Sequence, residues 1–257
     1  VELDYRNHFA FKSDPQELIH PNTSQYGWEV PGENNSDTER HPWIEGAWMT
    51  KLQGRYYLQY ACPGTESKSY ADAVYVAASP LGPFELQLHN PLAAKPSGFA
   101  AGVGHGSIIT DRYGNLWHWG TITISQKQIF ERRLSLHPTF IDKDGTLYTN
   151  TKFGDYPMIL PKKKIDAFED LFPSWMLLSY NKKVEVSSSV DSLPANHITD
   201  EDIRTYWAAG SGGNQEYAKL DLGEIYDVYS VQINFAEHLT KLFGRKKCER
   251  ASLFICK

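Results

Sequence analysis

The sequence predicts an all-β protein. Three observations carry that expectation: helical periodicity is scarce, short alternating segments bounded by Gly, Pro, Asn and Asp dominate, and aromatic residues make up 13% of the chain, with 15 Tyr and 7 Trp. Alternation with a period of two marks a half-buried strand, and aromatic side chains favour strands. One layout recurs three times, in MTKLQGRYYLQY (49–60), ITDRYGNLWHWG (109–120) and FIDKDGTLYTNT (140–151). Each copy has an apolar strand, then Lys51, Asp111 or Asp142, then a turn glycine (Gly54, Gly114, Gly145), then an aromatic-rich strand. Glycine supplies the positive φ that a tight hairpin turn requires. Repeated hairpins suit the radially stacked sheets of a β-propeller, and they suit a β-sandwich as well.

The 257 residues suffice for one large domain or two medium ones. Near residue 160 the character changes: LPKKKIDAFEDLF (160–172) mixes proline, charge and a helical turn and reads as a junction. Beyond it, WMLLSYNKKVEVSSS (175–189) and YAKLDLGEIYDVYSVQINF (217–235) are strand-like again. The expected organisation is a first unit over 1–165 and a second β-module over 175–257, small for an independent sandwich of roughly 100 residues.

A net charge of −5 gives no electrostatic footprint for nucleic acid or an anionic membrane, and no segment approaches a transmembrane span. The basic stretch Lys241–Lys257 is the exception and reads as a solvated tail. Cys62, Cys248 and Cys256 are odd in number and lack metal-ligand spacing, so no disulfide framework is read. There is no nucleophile elbow, P-loop, HExxH or dinucleotide fingerprint, and GSGGNQ (210–215) has no helix or lysine behind it to cradle phosphate.

In WIEGAW (43–48) Glu45 stands between Trp43 and Trp48. In a regular strand Glu45 shares a face with Trp43 and Ala47, while Trp48 points elsewhere. A carboxyl beside an indole is partly desolvated, which raises its pKa and suits a general acid. The plainer reading is a glutamate at a strand end, reaching solvent or pairing with an arginine. His105 in GVGHGSIITD (102–111) lies between glycines that let backbones crowd together, where it binds water or a cation or is hydrogen-bonded in the core. Arg132 and Arg133 fall on opposite faces of one strand, so one can point into a pocket as a donor fork for sugar hydroxyls; two surface arginines near Glu131 are the alternative.

These pieces, in this order, resemble glycoside hydrolase family 43, five-bladed β-propellers acting on arabinosyl and xylosyl linkages. The acid-bearing motif appears as Glu45-Gly46 followed by Lys51, Gly54, Tyr56, Tyr57 and Leu58, with Ala47 where the family usually has proline. SPLGPFE (79–85) looks like a blade-ending turn, GHGS (104–107) like the axial histidine motif, and Arg132 stands where a sugar-contacting arginine is common. The resemblance covers residues 1 to about 160. It implies part of a five-bladed propeller and an inverting glycosidase with Glu45 as general acid. It further implies Arg132, Trp43 and Trp48 at the sugar, and His105 at an axial water or cation. No cofactor is required, a structural calcium is the candidate ion, and the partner is an oligo- or polysaccharide of plant origin. Only 44 residues precede Glu45, so the two earlier blades expected to hold the base and the acid-tuning carboxylate are missing. Asp4, Asp14 and Asp37 lack the strand context, and no base is assigned. The second module, from SSSVDSLPANHITDEDIRTYWAAG through YAKLDLGEIYDVYSVQINF, looks like the first half of a discoidin-type sandwich. The expectation is a secreted or periplasmic glycosidase lacking part of its machinery. The rival readings are a non-catalytic carbohydrate-binding protein, in which Glu45 is a hydrogen-bond acceptor, and a structural adhesion module.

Overall fold

The computed structural model describes residues 1–123, 132–152, 154, 156–171, 176–236 and 238. Glu131, Cys248, Cys256 and the basic stretch at 241–257 lie outside the described residues. The all-β expectation is borne out: helix occurs only as single 3-10 turns among the described residues, one of them, Phe168–Leu171, at the expected junction.

A ribbon of β1 (Leu3–Asp4) and β2 (Ala10–Phe11) precedes the first large sheet. That sheet runs β3 (Glu45–Leu52), β4 (Arg55–Cys62), β5 (Ala71–Ala77), β6 (Glu85–Leu86), with β7 (Ala93–Ala94) also paired to β5. The second sheet is built from β8 (Ala101–Thr110), β9 (Leu116–Thr123), β10 (Arg132–Ile141) and β11 (Leu147–Thr149), in that spatial order. Both sheets are antiparallel meanders.

The three recurring motifs are the hairpins β3–β4, β8–β9 and β10–β11. The first closes through Gln53 and Gly54, both at positive φ, which matches the twist of the flanking strands. In the other two an aspartate organises a longer loop. Asp111 Oδ1 accepts from the amides of Tyr113 and Asn115, and Asp142 Oδ1 from those of Asp144 and Thr146. Lys51 does not play that part: it lies within β3, its ammonium over the Tyr56 ring.

Alternation along β4 divides the core. Tyr57 faces the second sheet and joins Val74, Val76, Leu92, Ile108, Leu116 and Leu147. Tyr60 and Cys62 face the other way, with Ala73 and Tyr75, beneath Ile19, Tyr26 and Trp28 of the N-terminal segment. Burial of Leu147 alone contributes roughly 1.5–3 kcal/mol. Polar clamps fix the same interface: Tyr57 Oη donates to Gly145 O at 2.7 Å, and the Gln87 side chain bonds both the amide and the carbonyl of Leu147. On the outer side Glu29, fully buried, accepts from Tyr60 Oη at 2.7 Å.

Beyond the junction, β12 (Lys183–Val186) and β13 (Ala218–Asp221) form a two-stranded ribbon. Ile203 of this part packs beside Phe99 and bonds its carbonyl, and Arg204 pairs with Glu33. The strand expected to continue to residue 235 is not formed: no strand is assigned over 222–236. Ile225, Val231, Ile233 and Phe235 are exposed there. β-propensity reflects packing on a paired, half-buried surface, and no strand pairs with this segment among the described residues.

Candidate functional site

β3 and β8 lie against each other where the two sheets meet, and each is irregular there. Opposite β4, Glu45 pairs with Ala61 and Trp48 with Gln59, so three steps along β3 match two along β4. This bulge rests on Gly46 at φ +62°. It corrects the regular-strand expectation: the extra residue turns Trp48 onto the same face as Glu45. There the indole Nε1 donates to Ile108 O at 3.2 Å. A second bulge lies in β8, where Gly104 pairs with Thr121 and Ser107 with Trp119, and His105 takes φ +51°. The two bulges interlock. A Cβ on Gly46 would stand 2.8 Å from His105 Cγ, so only glycine admits the imidazole so close.

The Glu45 carboxylate is held from two sides. Tyr70 Oη donates to Oε1 at 3.2 Å, and His105 Nδ1 lies 3.6 Å from the same oxygen. Burial pushes the Tyr70 phenol well above its ordinary pKa, reinforced by the charges of Glu45 and Asp72 and opposed by Arg132, so it stays a donor. The Glu45 side chain is 44% exposed. Trp43 is 69% and Trp48 43% exposed. The open Trp48 indole, on the same face as the carboxylate, offers a surface on which a sugar ring can stack.

Arg132 opens β10, half-buried, and its Nη1 donates to Thr65 Oγ1 at 3.0 Å. Arg133 is exposed, and its Nη1 donates to the Arg132 carbonyl at 3.3 Å. The Cys62–Thr65 loop that holds Thr65 is tied to Trp43, whose amide donates to Pro63 O at 2.7 Å. Glu45, Tyr70, His105 and Arg132 thus converge, with Trp48 beside them. Trp43 reaches the group only through its backbone. Tyr70 and Thr65 were missed in the sequence because each looks like an ordinary strand-flanking residue.

Behind His105 lies a buried polar cluster that the sequence did not announce. Asp72 Oδ2 accepts from Gly106 N at 3.0 Å, Gln59 Nε2 at 2.8 Å and His118 Nε2 at 2.7 Å, and all three side chains are buried. His137, also buried, lies beyond His118 and meets Ser135 Oγ at 2.8 Å. Burial, with help from His118 and Lys95, pushes the His137 pKa down to about 3. At His105 the neighbouring side chains alone supply few ligands for a cation. Calcium takes six to eight oxygens, whereas His105 and Glu45 offer one ring nitrogen and one carboxylate, and no group of three or more metal-binding side chains occurs among the described residues. No helix among the described residues is long and apolar enough to cross a membrane.

A thermostable family-43 glycoside hydrolase of known structure is 23% identical, with a TM-score of 0.50 over 62% of this chain and 48% of its own. That likeness supports a partial β-propeller. An endo-1,4-β-xylanase from Bacteroides thetaiotaomicron (22% identity, TM-score 0.41) covers 49% of this chain and 40% of its own. An α-L-arabinofuranosidase from Lactobacillus brevis (19%, 0.43) covers 58% and 46%. The chain thus spans less than half the length of each of these three proteins. No curated protein matches it. The family model for glycosyl hydrolases family 43 matches residues 14–147, just over half of the sequence. The chain belongs to glycosyl hydrolase family 43.

Proposed function

We propose that the chain carries the proton-donor half of a glycosidase that cleaves arabinosyl or xylosyl linkages of plant polysaccharides with inversion. Glu45 donates the proton to the leaving oxygen, Arg132 and Thr65 hold sugar hydroxyls, and Trp48 and Trp43 supply stacking faces. The observation that carries the reading is the convergence on Glu45 of Tyr70 and His105, across a pair of bulges that leave the carboxylate open to a ligand. An inverting enzyme needs a second carboxylate roughly 6.5–9.5 Å from the acid, with room for the attacking water. No residue of this chain is assigned that role. Membership in the family supports the substrate class. We read residues 1–165 as the propeller portion and 175–257 as a discoidin-like module, and place the protein outside the cytoplasm as a secreted or periplasmic enzyme of xylan breakdown. A structural calcium has no support in the residues around His105.

A second reading has one observation in its favour: the open carboxylate and the two exposed indoles also make a binding platform without chemistry. Hydrolysis of aryl arabinofuranosides and xylosides by the full chain, with product stereochemistry followed by NMR, separates the two. The enzyme reading expects turnover with an inverted anomer and loss of turnover in Glu45→Gln. Background rates in both proteins, together with measurable sugar binding by calorimetry, would establish the binding platform instead.

A further inference from the structure

The Asp72 cluster makes little sense as a stabilising device. Asp72, Gln59 and His118 sit at the sheet interface beside apolar Val74 and Ile108, and Asp72 Oδ1, Gln59 Oε1 and His118 Nδ1 have no hydrogen-bond partner among the described residues. Buried polar groups left partly unpaired cost about 1–3 kcal/mol each, and well-packed apolar residues of similar volume often serve stability as well or better. What the cluster does provide is one acceptor at a fixed place. Its three donors meet on a single oxygen, Asp72 Oδ2, and one of them is the backbone amide of Gly106.

That amide belongs to the β8 bulge. Gly106 follows His105, and a Cβ on Gly106 would stand 2.5 Å from Asp72 Oδ2, 2.6 Å from His118 Nε2 and 2.2 Å from Trp119 O, so the backbone is pressed directly onto the cluster. Left-handed backbone at a histidine is uncommon and persists only where its surroundings fix it. Asp72 lies two residues from Tyr70, the donor to Glu45, just inside the start of β5. One short segment therefore holds the carboxylate from one side and anchors, through Gly106, the imidazole that approaches it from the other.

We propose that Asp72, braced by His118 and Gln59, is a positioning residue that fixes His105 against Glu45 by pinning the Gly106 amide. The proposal rests on the reading of Glu45 as proton donor only for its effect on rate; its geometric content stands without it. Asp72→Leu removes the acceptor at similar volume, and Asp72→Leu/His118→Phe does so without leaving the imidazole unpaired, which guards against a failure to fold. Asp72→Asn keeps one oxygen where Oδ2 stands. In the full chain, the Gly106 amide and His105 ring NMR signals are recorded for each variant beside kcat and KM on an aryl arabinofuranoside. The folded double variant should shift both sets of signals and lose about 10²-fold in kcat, the scale of an ångström misplacement, with KM changed about twofold at most. Asp72→Asn should recover most of the signal positions and most of the rate. A cooperatively folded double variant whose His105 signals coincide with wild type overturns the proposal, as does an Asp72→Asn variant no closer to wild type than Asp72→Leu. Should the wild-type chain turn over no substrate, the glycosidase reading fails while the NMR comparison still decides this one.

Discussion

An alanine at position 46 has to place its Cβ 2.8 Å from His105 Cγ and 2.9 Å from Cδ2, with His105 Cα at 3.2 Å. These atoms are not the far end of a flexible chain: the ring root and the backbone must both move. The residue must also hold φ +62°, which an L side chain resists by about 1–2 kcal/mol. Forcing a methyl into a filled space adds about 1–3 kcal/mol. Gly46→Ala should therefore destabilise the chain by about 2–5 kcal/mol in urea unfolding, the sum of these two effects. Because His105 is the group displaced, turnover should fall further than stability explains, by about 10²-fold at temperatures where the variant is folded. A variant within 0.5 kcal/mol of wild type (about the scatter of ordinary surface substitutions) with unchanged kcat would show that the bulges do not interlock as described.

Acidification should expose His137. Its folded-state pKa of about 3 lies below the ordinary 6.5, so between these values the unfolded chain binds a proton that the folded chain refuses. Stability is therefore lost as pH falls from about 6.5 toward 3, by at most about 4–5 kcal/mol, and His137→Gln should flatten that part of a urea-midpoint profile. An unchanged slope in the variant would contradict the assignment. Arg132→Ala removes the fork that bonds Thr65 and should weaken sugar binding about tenfold, read as KM or as a calorimetric Kd, with little change in unfolding midpoint. Arg132→Lys should recover only part of that affinity, since an ammonium cannot reproduce the planar fork; full recovery would argue against a hydroxyl-binding role.

What the sequence revealed depended on how local the determinant was. The hairpins were readable because Gly54, Gly114 and Gly145 sit within a few residues of the strands they join. Glu45 and His105 were readable because each lies beside glycines whose presence signals unusual backbone. The consequence of those glycines was not foreseen: the bulge at Gly46 puts Trp48 on the face of Glu45, reversing the strict alternation. Nor was the tie that holds the Trp43 backbone, since it depends on the Pro63 loop and not on strand parity. Asp72, Gln59 and His118 were hidden for another reason. They sit in ADAVYVA, YYLQY and LWHWG, segments that read as plain core strands, and they meet across 13, 46 and 59 residues of sequence. Beyond residue 221 strand propensity misled, because residues 222–236 pair with no strand among those described.

Leaving-group dependence tests the central claim, that Glu45 gives its proton to the departing oxygen. A dinitrophenyl glycoside departs without protonation, whereas a methylphenyl glycoside needs it. Glu45→Gln should therefore lose about 10²–10⁴-fold on the methylphenyl substrate and little on the dinitrophenyl one. Equal losses on both substrates, or none on either, would contradict the account.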